Sequence, residues 1–191
     1  NFVSAGDGND VLYGGTGSDN LFGDDGDDLF IFDSTNTLTS ADTIGGGGHV
    51  EGDTVRVDLT TSVAFTLDGD FMGVERLVLN DQADDTSNAT VTFDAAYAPA
   101  SMVVDGSNMA AGQVLTVNAA ANASSETLNV RGGAGDDVIT GGAGNDTVRG
   151  NDGADSITLG AGGDNLVLGG NGNDTIVDGA GDDVINGGDG D

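Results

Sequence analysis

The sequence has no cysteine, no lysine and no tryptophan, and only one proline and three glutamates among its 191 residues. Without cysteine, a disulfide framework is excluded. The scarcity of glutamate, the acid that helices favour, argues against a helical protein. No apolar run approaches the roughly 18 residues of a membrane-spanning helix. The four positive side chains, Arg56, Arg76, Arg131 and Arg149, are spread along the chain, which argues against nucleic acid or an anionic membrane as the partner.

What the sequence does contain is aspartate and glycine. The formal net charge is −29 and there are 35 glycines. Such a charge repels itself unless something cationic neutralises it, so a positively charged ligand is expected. Hydrophobic residues make up 37% of the chain, which is too many for a plain solvated, disordered tail.

A nine-residue repeat organises both ends of the chain. It occupies residues 5–31 and 132–186 in nine complete copies, such as "GGAGDDVIT" and "GGAGNDTVR". The sixth position is always aspartate: Asp10, Asp19, Asp28, Asp137, Asp146, Asp155, Asp164, Asp174 and Asp183. The eighth is always apolar: Leu12, Leu21, Phe30, Ile139, Val148, Ile157, Leu166, Ile176 and Ile185. This regularity predicts one structural unit repeated along the chain.

Each copy is predicted to form a glycine turn followed by a three-residue strand. Glycine permits positive φ and close backbone approach, whereas the β-branched residues that end each copy favour strands. Two copies would make one coil of about 18 residues, with coils about 4.8 Å apart. Stacked carboxylates and turn carbonyls are the ligands that calcium prefers, whereas zinc favours nitrogen or sulfur and the chain has one histidine, His49. Calcium fits best.

The repeat resembles the G-G-x-G-x-D-x-U-x pattern of RTX calcium-binding repeat proteins. The resemblance implies a parallel β-roll that holds several Ca²⁺ ions between turns i and i+2, with ligands from glycine carbonyls and the sixth-position carboxylate. The implied ligands are Gly6, Gly8, Asp10, Gly15, Gly17, Asp19, Gly26, Asp28, Gly133, Gly135, Asp137, Gly142, Gly144, Asp146, Gly153, Asp155, Gly160, Gly162, Asp164, Gly170, Gly172, Asp174, Gly179, Gly181 and Asp183.

Some copies depart from the pattern. Asp24 and Asn151 replace the second glycine, Leu159 replaces the first, and Leu168 is interpreted as a single inserted residue. The turns "GGAGDD" and "GGAGND" match best. Asp146 is therefore expected to serve two stacked ions, whereas the acidic stretch "DQADD" at 81–85 is interpreted as a solvated turn.

The middle of the chain lacks the nonapeptide but keeps short β-branched stretches. They begin at residues 54, 63, 76, 90, 101, 114 and 127 as "TVRVDL", "VAFTL", "RLVLN", "TVTF", "SMVV", "VLTVN" and "TLNV". These predict strands, so the expected organisation is a repeat block at 1–31, a β-rich segment with wider turns at 32–131 and a second repeat block at 132–191. A separate globular β-domain in the middle is the alternative.

Catalysis is not indicated. His49 stands beside Glu51 and Asp53 in "GGGGHVEGD", but a lone histidine in a glycine-rich loop is interpreted as a solvated residue. No H-E-x-x-H, G-x-S-x-G or phosphate-binding loop pattern occurs. The chain is therefore predicted not to be an enzyme.

The resemblance also implies a function. RTX proteins are exported by bacteria and fold outside the cell when they bind calcium, and "GVERLVLN" and "TLNVRGGAGDDVI" resemble segments of S-layer proteins and adhesins. The expected function is a calcium-binding structural segment of an extracellular or cell-surface protein. The alternative is the secretion module of an exported enzyme whose catalytic domain lies elsewhere. The chain is expected to be a fragment whose partners are calcium and further repeats or copies of itself.

Overall fold

The architecture comes from a computed structural model that describes residues 1–33, 38–39, 41–81, 86–95, 97, 101–122, 127–160 and 162–190. Most of the predicted acidic turn at 81–85 lies outside these residues. The strands are β1 (Phe2–Ser4), β2 (Val11–Tyr13), β3 (Asn20–Asp25), β4 (Leu29–Phe32), β5 (Thr43–Gly48), β6 (Thr54–Leu59), β7 (Val63–Leu67), β8 (Phe71–Met72), β9 (Arg76–Asp81), β10 (Ala89–Phe93), β11 (Ser101–Asp105), β12 (Leu115–Asn118), β13 (Thr127–Arg131), β14 (Val138–Thr140), β15 (Thr147–Asp152), β16 (Ser156–Thr158), β17 (Leu166–Asn171), β18 (Thr175–Val177) and β19 (Val184–Asp189).

The strands form a parallel β-solenoid, which confirms the predicted fold class. One face is a nine-stranded sheet in the order β19-β17-β15-β13-β11-β9-β6-β4-β2. The other face carries a four-stranded sheet, β1-β3-β5-β8, and a six-stranded sheet, β18-β16-β14-β12-β10-β7. Strands pair in parallel with strands of the next coil, as in Val138↔Ser156 and Thr147↔Leu166. In the part of the chain that the structure describes, no helix could span a membrane.

The coil length changes along the solenoid. Strand partners are 18 or 19 residues apart inside the two repeat blocks. Through the middle they are 22 to 27 residues apart. The extra residues of the middle coils extend the turns and lengthen several strands, so the middle has the wider turns that the sequence predicts.

The core follows the coil length. In the first four half-coils of the second repeat block the interior receives one fully buried side chain from each strand: Ile139, Val148, Ile157 and Val167 are each 0% exposed. In the middle, β6 and β10 alternate buried and half-exposed residues over their whole length, and the core includes Phe65, Phe93, Met102 and Met109. The repeat coils therefore bury little apolar surface per residue, and the hydrophobic effect contributes less to them than to the middle coils.

The middle of the chain continues the solenoid. Each of the seven predicted stretches contains a strand, namely β6, β7, β9, β10, β11, β12 and β13. The nine-stranded sheet passes without a break from the first block through the middle to the last strand. The opposite face is interrupted once, because β8 ends the four-stranded sheet while β7, from the same coil, begins the six-stranded one. The boundaries at 31/32 and 131/132 stay predictions.

The four arginines, although spread along the sequence, share one face. Arg56, Arg76, Arg131 and Arg149 lie on β6, β9, β13 and β15 of the nine-stranded sheet. Asp105 lies on β11 of the same sheet and forms ion pairs with Arg76 and Arg131. The positive charge is thus gathered on the face made by that sheet.

Candidate metal centres

The sixth-position aspartates form columns along the solenoid. In the second repeat block, the backbone N–H of Asp137 donates to Asp155 Oδ1 at 2.8 Å, and the N–H of Asp155 donates to Asp174 Oδ1 at 2.9 Å. Each carboxylate therefore binds the backbone of the preceding coil, 18 or 19 residues earlier. Aspartate suits this position because its short side chain places the carboxylate beside the backbone, where it can accept such bonds.

Similar columns occur in the first repeat block, on both faces of the solenoid. The N–H of Asp10 donates to Asp28 Oδ1 at 2.9 Å, and that of Asp28 donates to Asp53 Oδ1 at 2.7 Å. Asp53 N–H in turn donates to Glu75 Oε2 at 2.9 Å. The N–H of Asp19 donates to Asp42 Oδ1 at 2.9 Å. The structure thus brings the predicted aspartates into rows, as stacked coils require.

The second carboxylate oxygen of several of these aspartates has no hydrogen-bond partner among the described residues, although it is buried. This holds for Oδ2 of Asp10, Asp28, Asp155 and Asp174. A buried acceptor left without a partner costs about 1–3 kcal/mol, and more when it carries charge. A hard cation among these oxygens would remove that cost, so the residues present fit calcium.

The glycines explain how close the turns approach one another. A Cβ on Gly150, the first residue of its turn, would lie 2.0 Å from Asp155 Oδ2 and 2.4 Å from the carbonyl oxygen of Gly169. A Cβ on Gly153, the fourth residue, would lie 2.2 Å from the carbonyl oxygen of Gly135 in the preceding coil. Only glycine allows this approach, and it lines up carbonyl oxygens beside the carboxylate column.

Among the described residues, positive φ occurs at the second and fourth positions of several turns and not at the first, but Gly133, Gly135 and Gly142 do not adopt it. Gly170 and Gly172 have φ of 124° and 129°. The two residues that replace the second glycine take the same conformation, with φ of 72° at Asp24 and 78° at Asn151. Aspartate and asparagine are the side chains that tolerate this region best, so these departures from the pattern keep the shape of the turn.

The two best-matching turns differ from the others. In "GGAGDD" and "GGAGND", the N–H groups of Gly133 and Gly142 donate to Oδ2 of Asp137 and Asp146 at 2.7 and 2.9 Å. On the side of the preceding coil both turns stack on wide middle coils, whereas on the side of the following coil they meet nonapeptide turns. A Cβ on Gly135, for example, would lie 1.8 Å from the carbonyl oxygen of Gln113. The Asp146 carboxylate, which is expected to serve two ions, thus already accepts a hydrogen bond from its own turn. That it binds two ions stays a prediction.

The predicted register is wrong in one copy. The carboxamide of Asn165, and not the carboxylate of Asp164, stands in the column: Asp146 N–H donates to Asn165 Oδ1 at 2.7 Å. Val167 fills the core and Leu168 pairs with Arg149, so the inserted residue precedes Asn165 and is not Leu168. Asp164 instead accepts from the N–H of Asp182 at 2.8 Å, one position outside the column.

The same shift moves the fourth-position glycine of that copy. Gly163, with φ of 88°, takes the place predicted for Gly162, since a Cβ on it would lie 2.0 Å from the carbonyl oxygen of Gly144. Gly160 keeps the second position, against the carbonyl oxygen of Gly142. The insertion therefore falls between Gly160 and Gly163, inside the turn, where an additional residue disturbs no strand pairing.

Three column residues of the middle segment were missed by the sequence analysis. Asp42, Asp53 and Glu75 continue the columns, although their turns have lost the nonapeptide spacing. A signal was present, because Asp42 and Asp53 are each followed by threonine and an apolar residue, as Asp146 and Asp174 are. An acid two residues before a buried strand residue is therefore a better marker of a column than the glycine count.

Burial changes the acidity of the column carboxylates. It raises the pKa of Asp137 to about 6, against opposing hydrogen bonds from the N–H groups of Leu115 and Gly133. Burial also raises the pKa of Asp155 to about 6, and the charges of Asp137 and Asp174 add to the rise. In the turn before β19, a side-chain hydrogen bond between Asp178 and Asp183 raises the pKa of Asp178. A bound cation would oppose each of these shifts.

Replacing Asp155 with asparagine separates its two roles. The amide oxygen can still accept from Asp137, as Asn165 accepts from Asp146, but the buried charge is lost. We expect Asp155→Asn to be at least as stable as the wild type in chelator. In calcium it should bind fewer ions, or bind them at least about tenfold more weakly, which is about 1.4 kcal/mol. Calorimetric calcium titration and chemical unfolding measure the two effects.

The control is Asp70→Asn, which changes an exposed aspartate in the turn before β8 and should leave both quantities unchanged. If Asp155→Asn lost as much stability in chelator as in calcium, the Asp155 carboxylate would not act through a bound ion.

Comparison with known protein families gives one match. The family model for the RTX calcium-binding nonapeptide repeat matches residues 1–36, 131–166 and 168–191, which together make up just over half of the chain. Searches among curated proteins and among solved structures find no match. The matched ranges contain all nine sixth-position aspartates of the repeat. On this evidence the chain belongs to the RTX calcium-binding nonapeptide repeat family.

Proposed function

We propose that this chain is a structural segment of an exported bacterial protein, which calcium assembles outside the cell and which serves as a scaffold in a surface layer or adhesin. The family and the fold establish the coarser statement, a calcium-binding structural β-solenoid. Export, extracellular folding and the surface role are the proposal.

The observation that carries the proposal is the row of buried carboxylate oxygens that have no hydrogen-bond partner among the described residues, of which Asp28 and Asp155 are examples. Like charges at the spacing of β-strands, about 4.8 Å, repel one another. The narrow interior of the repeat coils supplies little hydrophobic energy to offset this repulsion. Binding energy from the ion must therefore serve as folding energy in these blocks.

This coupling supports folding after export. Calcium-binding modules that work outside cells have dissociation constants on the order of 10⁻⁴–10⁻³ M, whereas cytosolic calcium sensors bind at about 10⁻⁷–10⁻⁵ M. Sites of the weaker class would leave the repeat blocks unfolded in a calcium-poor cytosol and fold them in a calcium-rich medium. The net charge of −29 works in the same direction, because an unneutralised chain expands and stays soluble.

The test is the calcium concentration at which the chain folds. Protein depleted of calcium is titrated at pH 7.5 and fixed ionic strength, and strand content is followed by far-UV circular dichroism. We expect a cooperative transition with a midpoint of about 10⁻⁴–10⁻³ M, and no transition with magnesium at the same concentrations. A midpoint near or below about 10⁻⁶ M would contradict folding outside the cell, because the chain would then fold where it is made.

A further inference from the structure

We propose that His49, Asp53 and Glu75 form a zinc site, distinct from the calcium turns and placed where the first repeat block meets the wide coils. The imidazole Nδ1 of His49 lies 3.6 Å from Asp53 Oδ2 and 3.6 Å from Glu75 Oε2. All three ligand atoms lie within 4.8 Å of one another. The proposal concerns these residues alone and does not depend on export.

The spacing suits a small ion. Contacts of 3.6 Å are too long for hydrogen bonds. Ligands that stand 2.0–2.2 Å from a tetrahedral zinc ion are separated from each other by roughly 3.3–3.6 Å. The two distances from His49 Nδ1 to the carboxylate oxygens therefore match the edges of a zinc tetrahedron.

The side chain of Asp53 provides independent evidence for a bound cation. Its side chain is 0% exposed, and its Oδ2 has no hydrogen-bond partner in the described part of the chain although it faces the imidazole. Its Oδ1 already accepts from the N–H of Asp28 at 2.7 Å. The carbonyl oxygen of Gly73 is also near, since a Cβ on Gly46 would lie 2.0 Å from it and 2.2 Å from Asp53 Oδ2. A buried charge in this setting needs a cation.

The loop that carries His49 is held in place without the metal. Two residues are added to this turn relative to the preceding coil, because Asp25 pairs with Gly48, 23 residues on, whereas Asp28 meets Asp53, 25 residues on. Asp27 Oδ1 accepts from the N–H groups of Val50 and Glu51 at 2.8 and 2.7 Å. The insertion therefore positions the imidazole over the column, and little ordering remains to be done when the ion binds.

The ligand set selects against calcium. Calcium takes oxygen ligands, whereas an imidazole nitrogen with carboxylates suits zinc and related transition ions. The imidazole of His49 is 35% exposed, so an ion can enter from solvent. With three protein ligands, the Gly73 carbonyl or a water molecule would complete the tetrahedron.

The experiment is a calorimetric titration of zinc into the full chain, kept in saturating calcium so that the repeat turns are folded and filled. We expect one zinc ion per chain. His49→Gln and Glu75→Gln should each weaken its binding at least about tenfold, and His49→Gln should leave the calcium stoichiometry unchanged. Glu51→Gln, which removes an exposed carboxylate from the same loop, is the matched control and should bind zinc as the wild type does.

Because His49 is the only histidine, the NMR signals of its ring nitrogens report on the site without ambiguity. Zinc should shift Nδ1 far more than Nε2. The proposal is overturned if zinc does not bind, if His49→Gln binds it as tightly as the wild type, or if the ring nitrogens do not move. Calcium binding is measured in the same samples, so a failure of the calcium function would be seen separately.

Discussion

In excess chelator at pH 7.5, residues 132–190 are expected to lose most of their amide protection from hydrogen exchange, whereas the wide middle coils retain part of theirs. The repeat coils combine a narrow core with stacked carboxylates, and in the described part of the chain Asp155 and Asp174 each have a buried oxygen without a hydrogen-bond partner. The middle coils contain the larger apolar core, with Phe65 and Phe93. Hydrogen exchange with mass spectrometry locates the loss.

The expected loss of stability on removing calcium follows from mass action. Each independent site held at 100 times its dissociation constant stabilises the folded state by about 2.7 kcal/mol. A few such sites match the whole stability of an ordinary domain, about 5–15 kcal/mol. Removing every ion at once should therefore unfold the repeat blocks and not merely loosen them. Full protection of residues 132–190 in chelator would contradict this.

Lowering the pH should partly substitute for calcium in stabilising the folded chain. Folding raises the pKa of Asp137 and Asp155 to about 6, so the folded state holds protons that the unfolded state, with an ordinary aspartate pKa near 4, releases. The stability of the calcium-free chain should therefore rise as the pH falls from 7.5 to about 5, while calcium binding weakens because the ion and the proton compete for the same oxygens. If stability in chelator fell over this range, the raised pKa values would be wrong.

Replacing Gly150 with alanine is expected to destabilise the calcium-bound protein by about 3 kcal/mol, the upper part of the range for overpacked sites. The new methyl group would lie 2.0 Å from Asp155 Oδ2 and 2.4 Å from the carbonyl oxygen of Gly169. The Gly169 carbonyl cannot retreat without separating two coils, and the Asp155 carboxylate is held by the hydrogen bond from the Asp137 N–H. Chemical unfolding in calcium measures the loss, and the midpoint of the calcium titration should rise.

The matched control is Gly187→Ala. Gly187 holds the same position in its turn, but a Cβ there would meet no atom of the described residues within 4 Å, and its φ is not positive. That variant should keep wild-type stability to within about 0.5 kcal/mol. Equal stabilities for the two variants would show that the first turn position does not need to be glycine.

Much of this architecture could be predicted from the sequence, because the nonapeptide encodes turn, column and core residue together. The register of one copy could not. In "LGAGGDNLVL", Leu166 and Val167 are both apolar, and Asp164 and Asn165 are both turn residues. Two phases therefore satisfy the pattern equally well, and only the hydrogen bond from Asp146 N–H to Asn165 decides between them.

The proximity of His49 to Glu75 could not be predicted from the sequence for another reason. His49 was interpreted as a solvated loop residue because its neighbours in sequence explain nothing about it. Glu75 lies one coil further along the chain, and the length of that coil, 22 residues between Thr54 and Arg76, follows no repeat. Where coil length varies, the sequence does not show which residues stand above one another.

Successive strands of the repeat blocks alternate between the face with the nine-stranded sheet and the opposite face, and this alternation limits how these blocks can change in length. In the repeat blocks a single nonapeptide makes half a coil, and the middle of the chain fixes which half belongs to the nine-stranded sheet. Losing or duplicating nine residues would move every later strand of that block to the opposite face, out of step with the middle. Losing or duplicating 18 residues, the spacing of Asp137 and Asp155, leaves every later column aligned. Homologues should therefore vary in whole coils.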